Sequence, residues 1–282
     1  MGLARYLVVR TLKNRWVLLW GGLWPLFWVA MGAFIFTKGF AKSPYAAQYA
    51  RSYVAGWLDG VVITVVAAVS VALLYSMIYS TAAVPYLLRF GRLRPLKYVA
   101  SYYGAMFTTS LILVAAVGAA NWLLMWRGLN DSGISVSLAD AAPKDALALL
   151  HTAGAVAVFT AFAAALLFLL SLLALKAVKA ASWLPFTPLI FNMLFYFSYL
   201  YVEQSPLSLA ANPFTAAQAL IITAYAGLER PYAAIASSNT LDVPAWALAT
   251  SISGWAAALS LAAALLVSKV RYAPPELLRE GI

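Results

Sequence analysis

The sequence predicts an all-α, polytopic membrane protein folded as one transmembrane domain over residues 1–282, and three observations carry that prediction. Hydrophobic residues make up 64% of the chain and charged residues only 10%, whereas a soluble domain carries roughly 25% charge. Six long apolar stretches recur along the chain, each able to span a ~30 Å hydrocarbon layer. Four basic segments, 5–15, 89–97, 176–179 and 269–279, alternate with those stretches and hold thirteen of the nineteen Lys and Arg residues. Cation-rich loops resist translocation, so this alternation predicts that both termini and the basic loops are cytoplasmic.

Span one is expected over 16–36, where Trp16, Trp20, Trp24 and Trp28 crowd an apolar run containing Pro25. The run is long and no small-residue cleavage site stands out, so it reads as a retained span rather than a removed leader. A polar stretch over 37–53 precedes span two, expected over 54–78. The basic loop 79–97 is punctuated by Pro85, Gly91 and Pro95. Span three is expected over 99–125, followed by a polar turn with Gly128, Gly133 and Pro143. Span four, over 146–175, is about 45 Å long at ~1.5 Å per residue, so it should tilt or project. Spans five and six are expected over 183–202 and 245–267, and Pro274-Pro275 ends the last helix.

Residues 207–227 are apolar enough to suggest a seventh span. Charge decides against it: six spans leave thirteen cations inside and six outside, whereas seven leave eleven and eight. Pro206 and Asn212-Pro213 also interrupt the stretch. The expectation is therefore a re-entrant helical hairpin dipping in from the outer face, which is tolerated where protein buries it or it lines a cavity.

Composition excludes several chemistries. There is no cysteine, so thiol catalysis and disulfides are absent. A single histidine, His151, cannot build a multi-histidine metal site; it is expected to be a hydrogen-bonded packing residue. No lysine follows a glycine, so no Walker loop is present. The net charge of +10 belongs to short loops between spans, so it points to the membrane and not to nucleic acid. No catalytic residues and no metal ligands are expected, and the chain reads as a non-enzyme. Every Asp, Glu, Lys and Arg is expected near a span end or in a loop, with Asp59 at the outer boundary. An interior without charge has nothing to bind a driving ion, so energy for any uphill step would have to come from another subunit.

Two groups of residues merit assignment. In the inner loop, Tyr86, Leu87 and Phe90 mix with Arg89 and Arg92 between two prolines. Such residues are typical anchors at protein interfaces, and their cations would also hold the loop on anionic lipid. On span five, Asn192, Tyr196, Tyr199 and Glu203 recur at helical spacing on one face. That face suits either a substrate pathway or hydrogen bonding between helices. Gly56 and Gly60 form a small-xxx-small pair at the outer end of span two.

This layout resembles the membrane permease subunit of type-2 ABC exporters over the whole chain. The shared features are six spans with both termini inside, a basic N-terminal segment before a first span containing Trp24-Pro25, and a basic helical loop after span two. A long span four and a re-entrant hairpin between spans five and six complete them. Many members carry an acidic residue and a Gly-Thr pair in the loop after span two; here Ser80-Thr81-Ala82-Ala83 and Arg89-Phe90-Gly91-Arg92-Leu93-Arg94-Pro95 stand in that place. The resemblance implies a multi-pass protein of the cell membrane, paired with a second permease copy or homologue. It also implies two cytoplasmic ABC ATPase subunits docked through the 79–97 loop, with ATP and Mg bound in those partners and no cofactor in this chain. A substrate route beside span five follows from the same resemblance. The alternative from a different class is a non-transporting assembly subunit of a membrane complex.

Overall fold

A computed structural model describes residues 2–81, 95–176 and 183–267. Among them every regular element is a helix, apart from an isolated bridge between Tyr232 and Thr240. Five helical segments are long and apolar enough to cross a membrane, which marks the chain as a multi-pass membrane protein.

Helix α1 (Leu3–Leu12) turns Leu7 and Thr11 inward onto the long helix Pro95–Asp131, while Arg5 and Arg10 stay exposed. Helix α2 (Arg15–Phe40) is the first long segment. It widens into π-turns at Leu19–Leu23 and Gly32–Phe36. The first lies just before Pro25, whose missing N–H leaves a carbonyl one turn earlier without its usual donor. At the second, Thr37 Oγ1 donates to the Gly32 carbonyl at 2.7 Å. Its outward face shows Trp16, Trp20, Leu23, Phe27 and Ile35, as a lipid-exposed helix would.

Helix α3 (Ala46–Thr81) is the hub, packing against α4 (Pro95–Asp131) and against the later helices α6 (Ala146–Lys176), α7 (Thr187–Tyr201) and α9 (Pro213–Ala226). It begins eight residues before the expected span. The extension is anchored by Arg51, whose guanidinium donates to the carbonyls of Ala142 at 2.9 Å and Ala139 at 3.2 Å. Helix α4 (Pro95–Asp131) also outruns its expected limits. Trp122 and Trp126 donate their indole N–H groups to the Leu138 and Val136 carbonyls, tying its C-terminal end to the following turn. Helices α2 and α4 approach so closely that a Cβ on Gly128 would run into the Ala33 carbonyl; only glycine admits that contact.

A single helical turn, α5 (Leu138–Ala141), is closed by a reciprocal capping box between Ser137 and Asp140. It leads to α6 (Ala146–Lys176), 31 residues long as the sequence indicates. Helix α7 (Thr187–Tyr201) corresponds to the expected fifth span but has only 15 residues. At ~1.5 Å per residue that is about 22 Å, and α7 is not among the five segments that meet both length and apolarity. Pro185 and Pro188 confine its start, and Asn192 and its tyrosines lower its hydropathy.

Two short helices follow where a broken hairpin is expected: α8 (Pro206–Ala211) and α9 (Pro213–Ala226). The break falls at Asn212, extended at φ −92° and ψ 113°, whose side chain caps the Phe214 N–H. Helix α9 spans about 21 Å at ~1.5 Å per residue. Nearly every one of its side chains is buried, among α3, α6, α7 and α10. It ends at Gly227 with φ +64°, a left-handed cap natural to glycine. Helix α10 (Ala245–Val267) packs on α6 and α9 and shows Trp246, Trp255, Leu261 and Leu265 outward.

Candidate functional site

The expected docking residues Tyr86, Leu87, Arg89, Phe90 and Arg92 lie outside the described residues. The expected pathway residues lie within them, and α7 sorts them clearly. Asn192 (2% exposed) and Tyr199 (1%) are buried, and Tyr196 is half-buried. On the opposite side of the same helix Ile190, Leu194, Phe197 and Tyr201 are exposed. The polar face therefore turns into the protein, toward α3, and the apolar face turns out. Glu203 is not part of that inner face. It sits beyond the helix end, exposed, where its Oε1 accepts from Ser237 Oγ at 2.6 Å and Asn239 Nδ2 at 2.7 Å.

The residue that sequence reading misplaced is Asp59. Thirteen residues separate it from the start of α3 at Ala46, about 20 Å along the axis. It is fully buried, and neither carboxylate oxygen has a hydrogen-bond partner among the described residues. The expectation that every ionisable side chain lies near a span end fails here. The error follows from the assumed span start at Val54, which put Asp59 at the rim; the helix begins two turns further out. Its flanking glycines were the available signal. A Cβ on Gly60 would come within 3.1 Å of the Tyr196 hydroxyl, and one on Gly56 within 3.1 Å of Ile235. The pair does not seat another helix backbone. It makes room for side chains that close over the carboxylate from α7 and from the loop 228–244.

That loop forms a cap on the end of the seam where the C-terminus of α7 meets the first half of α3. Its Ile235 and Ala236 N–H groups donate to the Tyr199 and Leu200 carbonyls at 2.9 and 3.2 Å. Gln204 N–H donates to the Ala233 carbonyl at 2.9 Å. The Tyr199 hydroxyl donates to the Tyr232 carbonyl at 2.8 Å, and the Tyr232 hydroxyl meets Ser52 Oγ on α3 at 3.2 Å. Glu203 holds the far strand of the loop through Ser237 and Asn239. Asp59 thus lies beneath a hydrogen-bonded lid, with the phenols of Tyr196 and Tyr199 within electrostatic range.

Deeper along α7, Asn192 Nδ2 donates to the Pro188 carbonyl at 2.7 Å while Oδ1 has no partner among the described residues. On α4, Asn121 Nδ2 reaches the Val54 carbonyl at 3.3 Å. On α9, Gln218 Nε2 donates to the Phe214 carbonyl at 3.2 Å, and its buried Oε1 has no such partner. Phe214 itself stacks on Phe195 at 4.9 Å and meets Phe162 edge-on at 5.2 Å, joining α7, α9 and α6.

His151 departs from its expected role. It is exposed and lines a largely apolar groove of about 530 Å³ between α6, α9 and α10, with Lys144 and Asp145 at one end. No group of three or more metal-ligating side chains occurs among the described residues. Compared with family models, with curated proteins and with solved structures, the chain matches none of them.

Proposed function

We propose that this chain is the transmembrane permease subunit of an ATP-driven exporter, working as a dimer with two cytoplasmic ABC ATPase subunits. The supporting observation is the element order from α7 to α10. A short helix with a polar inner face is followed by a helix pair broken at Asn212-Pro213, and α9 is buried among long apolar helices. A 14-residue helix cannot cross a bilayer, and at membrane depth a broken backbone is stable only inside protein or beside a cavity. In this reading α8 and α9 are a re-entrant hairpin entered from the outer face. Helix α7 together with the 3-10 turn Leu184–Phe186 makes a sixth crossing of about 28 Å at 1.5–2.0 Å per residue. Six crossings place both termini and the basic loop 79–97 in the cytoplasm.

The substrate route runs beside the inner face of α7, with Asn192, Tyr196 and Tyr199 along it and Glu203 at its outer mouth. Asp59 removes one argument for an external motor, because the interior does contain an ionisable group. The ATP-driven reading stands on layout and on the aromatic and cationic character of the inner loop.

The test is purification of the chain from its native membranes under mild conditions, then reconstitution. A co-purifying Walker-motif ATPase whose hydrolysis responds to the membrane subunit is the expected outcome. Purification with other membrane proteins, without any nucleotide-binding partner, supports the assembly-subunit alternative instead.

A further inference from the structure

We propose that Asp59 is a proton-binding site controlled by the outer cap: its carboxylate holds a proton while α7 and the loop 228–244 are closed over it, and gives that proton to outside water when they lift. The inference goes beyond the permease reading and takes from it only the side of the membrane that the cap faces.

A carboxylate in this position must be neutralised. An isolated charge buried without partners costs several kcal/mol even after relaxation, a large share of the ~5–15 kcal/mol that holds a typical domain folded. Compensation by an opposite charge is not on hand. Facing Asp59 from α7 are two phenols, Tyr196 and Tyr199, and the cap adds Tyr232 behind Tyr199. Helix α9 contains no charged residue, the charges of α4 are Lys97, Arg127 and Asp131 at its ends, and that of α6 is Lys176 at its inner end. On α3 the neighbouring groups are Tyr53 and Arg51, and Arg51 is engaged with the carbonyls of Ala139 and Ala142 two turns away; the Arg15 and Lys38 side chains of α2 are exposed, and in the cap Arg230 pairs with Asp242 at 3.3 Å beside an exposed Glu229. Glu203 is exposed on the far side of the cap.

A metal ion fits poorly, since hard cations take six or more oxygen ligands and Asp59 is the sole carboxylate here. An organic cation needs volume, yet the seam is tight on both sides of the acid: a Cβ on Gly60 would stand 3.1 Å from the Tyr196 hydroxyl and one on Gly56 3.1 Å from Ile235. A proton needs neither ligands nor volume. Binding forms one O–H bond on Asp59 and release breaks it, the proton passing to water, with no redox partner involved.

The cap supplies the control. Hydrogen bonds to Tyr199, Leu200, Glu203, Gln204 and Ser52, with the buried side chains of Tyr232, Ala233 and Ala234, hold it over the seam. Opening at that point wets the carboxylate from the outer side while Asn192 and the inner half of α7 stay packed.

Infrared difference spectroscopy on the full chain in lipid tests this. The carbonyl stretch of a protonated carboxylic acid is expected at neutral pH in the wild type. It should be lost in Asp59→Asn, which keeps the shape of the neutral acid and should keep the melting temperature. Glu203→Ala, which unties Ser237 and Asn239, should retain the band but lose it about one pH unit lower, a tenfold weaker proton affinity. A wild type without the band, or a band that persists in Asp59→Asn, overturns the proton site. An unchanged titration in Glu203→Ala overturns control by the cap. Presence or absence of a co-purifying ATPase leaves these readings untouched, so failure here and failure of the permease reading are separable.

Discussion

Gly60 on α3 faces the hydroxyl of Tyr196 on α7, and a methyl group in place of the glycine hydrogen would stand 3.1 Å from that oxygen. This contact sets how closely α7 can lie on α3 and therefore how completely Asp59 is covered. Gly60→Leu should wedge the seam apart. Overpacking of this kind costs ~1–3 kcal/mol, expected as a lower melting temperature in detergent. Gly60→Ala together with Tyr196→Phe should recover most of the loss, because the added methyl then meets a ring without its oxygen. Equal melting of the wild type and Gly60→Leu would show that the seam is not packed as described.

A harsher version of the same constraint operates between α2 and α4. A side chain at Gly128 runs into the backbone carbonyl of Ala33, which a flexible side chain could avoid but a helix cannot. Gly128→Ala should therefore destabilise the protein more than Gly118→Ala, where the nearest atom is a leucine methyl at 3.1 Å. Thermal melts of the two variants, side by side, check the order.

The outer cap hangs on Tyr199. Tyr199→Phe removes the bond to the Tyr232 carbonyl and leaves a buried acceptor unpaired, a loss of ~1–3 kcal/mol. Faster amide exchange confined to Tyr232, Ala233, Ile235 and Ala236 is the expected readout. Protection unchanged there would mean that the loop is held by other contacts.

The chain has no cysteine, so single-cysteine labelling has no background. Cysteine at Tyr196 should react with a membrane-impermeant thiol reagent only during ATP turnover of the reconstituted complex, whereas cysteine at Ile190, on the exposed apolar face, should stay inert throughout. Tyr196 inert in every nucleotide state would favour the assembly-subunit alternative.

Coupling is addressed by the inner loop. The combined replacement of Arg89, Phe90 and Arg92 by alanine should abolish stimulation of the partner ATPase at least tenfold while leaving the melting temperature of the membrane subunit unchanged. Full stimulation in that variant would move the docking surface elsewhere.

What the amino-acid sequence determined by itself was the class of the molecule and its rhythm. Apolar stretches and their lengths follow directly from composition, because lipid accepts no unsatisfied backbone and rewards continuous helices. The break at Asn212-Pro213 was legible because proline and a capping side chain act locally. So was the polar face of α7, since helical spacing alone aligns Asn192, Tyr196 and Tyr199. The first turns of α3 were not legible locally: Arg51 there is held by carbonyls some ninety residues later that accept its protons. That extension moved Asp59 from a rim to an interior. Glu203 shared the spacing of the α7 face, but the helix stops at Tyr201 and the loop 228–244 claims its carboxylate. Burial of a charge depends on which distant segments fold over it, and periodicity along one helix carries no information about that.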